Sequence, residues 1–100
     1  MKATKIHYLK TSPLYFQSIV DGLKTFEYRK NDRAFKVEDI LILQEYNPTR
    51  GDYTGRTVAQ KITYVLSDTS NFPITKNWCI LGLSDNVGPH RRLNQLNQRI

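Results

Sequence analysis

Hydrophobic and polar positions change period several times along the chain, and each change marks an element. Ile6 to Leu9 is a short strand, after which Ser12-Pro13 supplies a helix N-cap followed by proline at the first helical position. The spacing predicts a helix over Pro13 to Asp21. Tyr15, Phe16, Ile19 and Val20 form one apolar stripe on it, and Gly22 is placed to end it in the left-handed conformation. From Lys24 the period becomes two. Phe26 and Tyr28 are therefore expected to face the core, with Thr25, Glu27 and Arg29 on the opposite face. Asn31-Asp32 reads as a turn and Arg33 to Lys36 as one helical turn.

Asp39-Ile40-Leu41-Ile42-Leu43-Gln44-Glu45-Tyr46 is the strongest strand, and its continuous apolar centre predicts burial on both faces. Asn47 to Gly55 reads as an extended turn or loop. Arg56 to Leu66 returns as a strand, with a slip in alternation near Ala59-Gln60-Lys61 that permits a bulge. Ser67 to Lys76 is a polar connection, and Trp78 to Leu83 is the last strand. The expected class is mainly β: five short strands and one flanking helix, as a curved sheet or small barrel whose open edge the helix covers.

Composition narrows this picture. A chain of 100 residues, 39% of them hydrophobic, has room for one core and buries about 60 to 65% of the surface exposed by its unfolded form. Residues 1–85 are expected to form a single domain, and residues 86–100 a basic polar tail, flexible or packed only against a partner. Leu93, Leu96 and Ile100 would line one face of a weak helix there. No run of about 18 apolar residues exists, and the N-terminus lacks the apolar stretch of a signal peptide, so a cytoplasmic location with no membrane partner is expected. The single cysteine, Cys79, excludes an internal disulfide and a multi-thiolate zinc site. Its neighbours Trp78, Ile80 and Leu81 read as a buried strand.

The net charge of +6 favours nucleic acid, nucleotides or an acidic partner. Through Lys36 the chain carries Lys2, Lys5, Lys10, Lys24, Arg29, Lys30, Arg33 and Lys36 against Asp21, Glu27 and Asp32. Glu27 and Arg29 share a strand face, with Lys24 at its mouth. A carboxylate between two cations stays ionised and accepts hydrogen bonds, whereas arginine offers a planar fork to a carbonyl, phosphate or carboxylate. Glu45 and Tyr46 end the best strand, and Arg50, Tyr53 and Arg56 surround the following loop, where Tyr53 is placed to stack on a base or to pack the loop down. His7, beside Tyr8 and Lys10, is a further candidate contact, but His7 and His90 do not have metal-ligand spacing. No phosphate-cradling glycine loop, thiol pair or helical His-Glu motif is present, and no cofactor or metal is expected.

The order Ile6-His7-Tyr8-Leu9-Lys10, Tyr15-Phe16, Gly22 to Phe35, Asp39 to Tyr46 and Tyr53-Thr54-Gly55-Arg56 resembles the small bacterial and phage DUF3850 proteins of the ASCH superfamily. Gly22, Lys24, Glu27 and Arg29 match the superfamily pattern Gly-x-Lys-x-x-Glu-x-Arg. The resemblance implies a small PUA-like β-barrel with a polar cleft between barrel and helix. Its ligand would be RNA or a modified nucleoside, held by Lys24, Glu27, Arg29, His7, Lys10, Glu45 and Tyr53, with Lys30, Arg33, Arg50 and Arg56 around them.

One relative in the superfamily deacetylates N4-acetylcytidine with a lysine, a threonine and a glutamate. Lys24 matches that lysine, but Glu27 stands where the threonine nucleophile would be, and Ser67 to Lys76 contains no glutamate. These departures weigh against hydrolysis of an acylated cytidine, which is the second reading; no catalytic residue is assigned. The third is a non-catalytic protein-interaction module using the tail. RNA or a nucleotide-like small molecule is the expected partner, with DNA left open. Glu38 occupies a position where the resembled family usually carries glycine, so a tight turn there would be strained by about 1 kcal/mol.

Overall fold

A computed structural model describes residues 3–68 and 73–88 of the chain. The elements are β1 (Ile6–Thr11), α1 (Pro13–Val20), β2 (Phe26–Lys30), β3 (Ile40–Asn47), β4 (Asp52–Ser67) and β5 (Trp78–Ser84). They form one sheet in the order β1-β3-β4-β5-β2, curled into a half-barrel. β1 runs parallel to β3, and the other neighbours are antiparallel. The two edge strands, β1 and β2, are the ones that α1 connects.

The helix forms as its sequence predicts. Ser12 Oγ accepts from Tyr15 N, Pro13 opens the first turn, and Gly22 ends it with φ +76° while Leu23 N and Lys24 N both donate to Ser18 O. Phe16 and Ile19 are buried from the helix into the concave face of the sheet. There they join Leu9, Leu41, Leu43, Val58, Ile62, Cys79, Leu81, Leu83 and Phe35. β3 is buried on both faces, because Ile40 and Ile42 pack on the outer side with Ala59 and Val87. The expected tail begins at residue 86, and its residues 89–100 lie outside the described ones.

Three local expectations are corrected. Arg33 to Lys36 makes no helical turn: Ala34 takes φ +49°, which breaks the helical path and turns Phe35 inward against His7, 4.9 Å away between ring centroids. The loop from Asn47 is shorter than its composition implies. Asn47 Oδ1 accepts from Thr49 N and Arg50 N, Gly51 adopts φ +76°, and the chain re-enters the sheet at Asp52 opposite Asn47. The irregularity in β4 lies between Ile62 and Tyr64 in the pairing with β5, slightly beyond the expected slip.

Glu38 has φ +81°, the left-handed conformation its glycine-like position implies. Its backbone N–H donates to Ile62 O at 2.8 Å, so the conformation is fixed by the join between this turn and β4. Replacing Glu38 by glycine relieves the Cβ strain at the expense of a long, largely exposed ion pair to Lys61 and some unfolded-state entropy. The expected result is a gain of about 0.5 to 1 kcal/mol, read as a higher urea midpoint at unchanged slope. A lower midpoint would contradict it.

Candidate functional site

The face of β2 is opposite to the one its apolar residues predict. Glu27 is 5% exposed and points into the half-barrel, whereas Phe26 and Tyr28 are 47% and 44% exposed on the outer side. Alternation fixed which residues share a face but not which face is buried. The inward choice is sustained by ion pairing: Lys24 Nζ lies 3.0 Å from Glu27 Oε1, and Arg29 Nε lies 3.3 Å from Glu27 Oε2. Lys24 Nζ also donates to Phe26 O at 2.9 Å and sits near the rings of Tyr15 and Phe26, 5.0 and 4.9 Å from their centroids.

Arg29 has a second task. Its Nη2 donates to Lys10 O on β1, and Arg33 Nη1 donates to Tyr8 O at 2.8 Å. In the parallel β1–β3 ladder Lys5 O accepts from Ile40 N, so the carbonyls of Tyr8 and Lys10 fall on the unpaired side of the edge strand. Two guanidinium groups thus close the seam between the edge strands and satisfy acceptors that an open edge would leave bare.

A cavity of about 590 Å³ opens at this seam. Four aromatic residues line it, Tyr15, Phe26, Tyr28 and Trp78, interleaved with Lys10, Lys24, Arg29 and Lys30. Tyr28 and Trp78 are neighbours at 4.8 Å between centroids, and the Tyr28 hydroxyl pairs with Thr75 Oγ1 at 2.9 Å. Lys10 Nζ lies 4.1 Å from the centroid of the Tyr46 ring.

Of the residues singled out from sequence, Lys10, Lys24, Glu27, Arg29 and Lys30 line this cavity, whereas His7, Arg33, Glu45, Tyr53, Arg50 and Arg56 do not. Arg33 reaches the same seam through Tyr8 O. Glu45 is buried and accepts from Thr54 Oγ1 at 2.7 Å, with Arg56 Nη1 3.8 Å away. Arg56 also donates to Gln17 on α1 and covers the Phe16 ring, which ties the helix to β4. Tyr53 packs edge-on against Tyr46, and Arg50 pairs with Asp52 in the exposed hairpin.

His7 belongs to a buried cluster at the other end of β1. Its Nε2 is 2.9 Å from Asp39 Oδ2, and Asp39 also accepts from the backbone N–H groups of Lys5 and Lys36. Burial pushes the Asp39 carboxyl up, but the hydrogen bonds from His7, Lys5 and Lys36 together outweigh it and hold the pKa below the ordinary carboxylate value. For the Cys79 thiol, burial and nearby Asp32 push the pKa up, so it stays protonated in the core.

Sequence reasoning assigned Phe26 and Tyr28 to the core and read Trp78 only as part of a buried strand. The available signal was their nearness to Lys24 and Lys30: aromatics interleaved with cations are as consistent with a surface platform as with a core strand. Among the described residues no three His, Cys, Asp or Glu side chains gather as metal ligands, and no helix is long and apolar enough to cross a membrane.

The family model described as "Domain of unknown function (DUF3850)" matches residues 6–83, which contain every strand except the last residue of β5. The chain is also similar to the "Uncharacterized 12.9 kDa protein in GpA 3'region" of Escherichia phage P2, at 37% identity over 92 residues covering 92% of this chain and 72% of the relative. With the matched segment spanning the half-barrel and its seam, the chain belongs to the DUF3850 family.

Proposed function

We propose that this protein binds single-stranded RNA, or a nucleotide-like fragment of it, at the seam between its edge strands, and that its half-barrel is a PUA-like fold of the ASCH type. The observation that carries the reading is the cavity in which Tyr15, Phe26, Tyr28 and Trp78 alternate with Lys10, Lys24 and Lys30. Exposed rings offer stacking surface to unpaired bases, and the lysines track the phosphates between them. Lys24 has two of its three N–H donors committed, to Glu27 and to Phe26 O. Its remaining donor faces the role of phosphate or carbonyl contact.

Glu27 is a positioning residue in this reading, since both of its oxygens already accept from cations. That occupancy leaves hydrolysis of an acylated base without a free general base at this position.

Lys24 and Arg29 are poor choices for testing the proposal, because removing them strips the counterions from Glu27. Phe26→Ala and Lys30→Ala alter exposed side chains instead. Fluorescence anisotropy with labelled single-stranded RNA should show Phe26→Ala weakening binding about tenfold, within the range for loss of one stacking ring. Lys30→Ala should make the log–log salt dependence shallower by about 0.7. Wild-type affinity and salt slope in both variants would overturn the proposal. Single-stranded DNA run in parallel shows whether the 2′-hydroxyl matters.

A further inference from the structure

The two edge strands of the sheet face each other across the seam with no backbone hydrogen bond between them among the described residues. Alternation fixes what each edge presents. Leu83 N donates to Thr25 O at 2.9 Å and Asn31 N to Asn77 O at 2.7 Å, so residues of that parity along β2 turn their backbone groups towards β5. Phe26, Tyr28 and Lys30 therefore turn theirs to the open side. Lys24 Nζ donates to Phe26 O there, in keeping with that parity, and the backbone N–H groups of Phe26, Tyr28 and Lys30 meet no acceptor among the described residues.

The contrast with β1 is direct. Its open-side carbonyls, Tyr8 O and Lys10 O, accept from Arg33 and Arg29, whereas the three N–H groups of β2 are left bare. An edge with bare donors is a template for one more strand. The gap beside it is bridged by arginine side chains and not by strand pairing, and it opens into the seam cavity. Charge selects the occupant: Lys10, Lys24, Arg29 and Lys30 line the cavity against Glu27, whose two oxygens Lys24 and Arg29 already hold. On a strand laid beside β2, alternate side chains would point inwards with Glu27 and Arg29 or outwards with Phe26 and Tyr28. The inward ones meet the spare donor of Lys24 and the Arg29 guanidinium, which has committed two of its five N–H groups. An acidic residue suits that position, and an apolar one suits the exposed rings outside.

We propose that the open edge of β2 accepts an extended peptide segment of another protein, alternating acidic and apolar residues, which adds to the five-stranded sheet beside Tyr28. The chain's own residues 89–100 carry Arg91, Arg92 and Arg99 and no acid, so they do not match this edge. A second folded copy does not match it either, because β1 and its two arginine bridges bound the gap on the far side. The inference does not depend on the nucleic-acid reading. Since both ligands use Phe26 and Tyr28, peptide and RNA would exclude one another at the seam.

The test is amide hydrogen exchange of the full chain, followed residue by residue by nuclear magnetic resonance, with and without a capped peptide of alternating glutamate and valine. Saturating peptide should slow exchange at Phe26, Tyr28 and Lys30 about tenfold and leave Glu27 and Arg29, already paired with β5, unchanged. Attachment through side-chain charge alone does not produce that alternation. Tyr28→Pro removes the central N–H at an edge position where proline is tolerated. It should bind the peptide about fivefold more weakly than Tyr28→Thr, which loses the ring but keeps the donor. The same peptide with lysine in place of glutamate should not bind. No protection at millimolar peptide, uniform protection along β2, or equal affinity in the two Tyr28 variants would overturn the proposal. RNA binding without peptide protection would remove this inference and leave the seam reading standing; peptide protection without RNA binding would do the reverse.

Discussion

Glu27→Ala should lower the stability of the fold by about 3 kcal/mol, because it leaves Lys24 and Arg29 facing one another in a poorly solvated site with no carboxylate between them. The loss exceeds that of a surface ion pair, about 0 to 1 kcal/mol, since Glu27 is buried and accepts from both cations. It extends beyond Glu27 itself: Arg29 released from the carboxylate no longer presents its Nη2 squarely to Lys10 O, so the seam loosens with it. Glu27→Gln keeps the shape and one acceptor and should lose roughly half as much. Urea unfolding of the two variants against the parent checks this, and an unfolding free energy within about 0.3 kcal/mol of the parent for Glu27→Ala, the size of a surface change, would contradict the structural role.

Acid should destabilise the protein through Asp39, and the sign follows from the direction of its shift. The Asp39 carboxyl has a lower pKa folded than the ordinary aspartate value of 3.8, so the unfolded chain binds a proton more readily. The stabilisation is therefore fully present above the unfolded value and is lost as pH falls from about 5 through 3.8 and on past the folded value. Asp39→Asn removes this dependence. It also costs about 2 to 3 kcal/mol at neutral pH, because an amide nitrogen is presented to a site organised around donors from Lys5, Lys36 and His7. Thermal unfolding of both proteins between pH 3 and 7, on the order of the carboxylate range, should show the parent falling towards the variant in acid. Parallel curves would contradict the assignment.

Both effects come from side chains whose surroundings were only partly legible in the sequence. The helix was readable from Ser12-Pro13, the Phe16–Ile19 stripe and Gly22, since capping and periodicity are local properties. The double burial of β3 was readable from an unbroken Ile-Leu-Ile-Leu run. In β2 the alternation of Phe26-Glu27-Tyr28-Arg29 allowed either face inward, and hydropathy favoured the wrong one. Glu27 faces in because cations three residues before and two residues after it can reach its oxygens. That compensation depends on where Gly22 releases the chain from the helix.

The association of Lys24, Glu27 and Arg29 was visible as a pattern, but the arginine contacts to Lys10 O and Tyr8 O were not. They depend on β1 and β2 being the two edges of one sheet, a consequence of the strand order. Asp39 was likewise hidden inside a strong strand. Its partners Lys5 and His7 come from one stretch at the start of β1 and reach it only through the parallel β1–β3 pairing, whereas Lys36 reaches it within its own turn.

Trp78 is the single tryptophan of the chain, and it lines the seam cavity beside Tyr28, so its emission reports directly on that surface. The most direct measurement is a titration of the protein with unlabelled single-stranded RNA, following Trp78 fluorescence at low and near-physiological salt. Binding at the seam predicts a saturable change in emission whose midpoint moves to higher RNA concentration as salt rises, with Phe26→Ala shifting it further. Unchanged Trp78 emission across the titration, at a salt concentration where anisotropy shows the RNA to be bound, would place the RNA elsewhere on the molecule; no binding by either readout would contradict the nucleic-acid account itself.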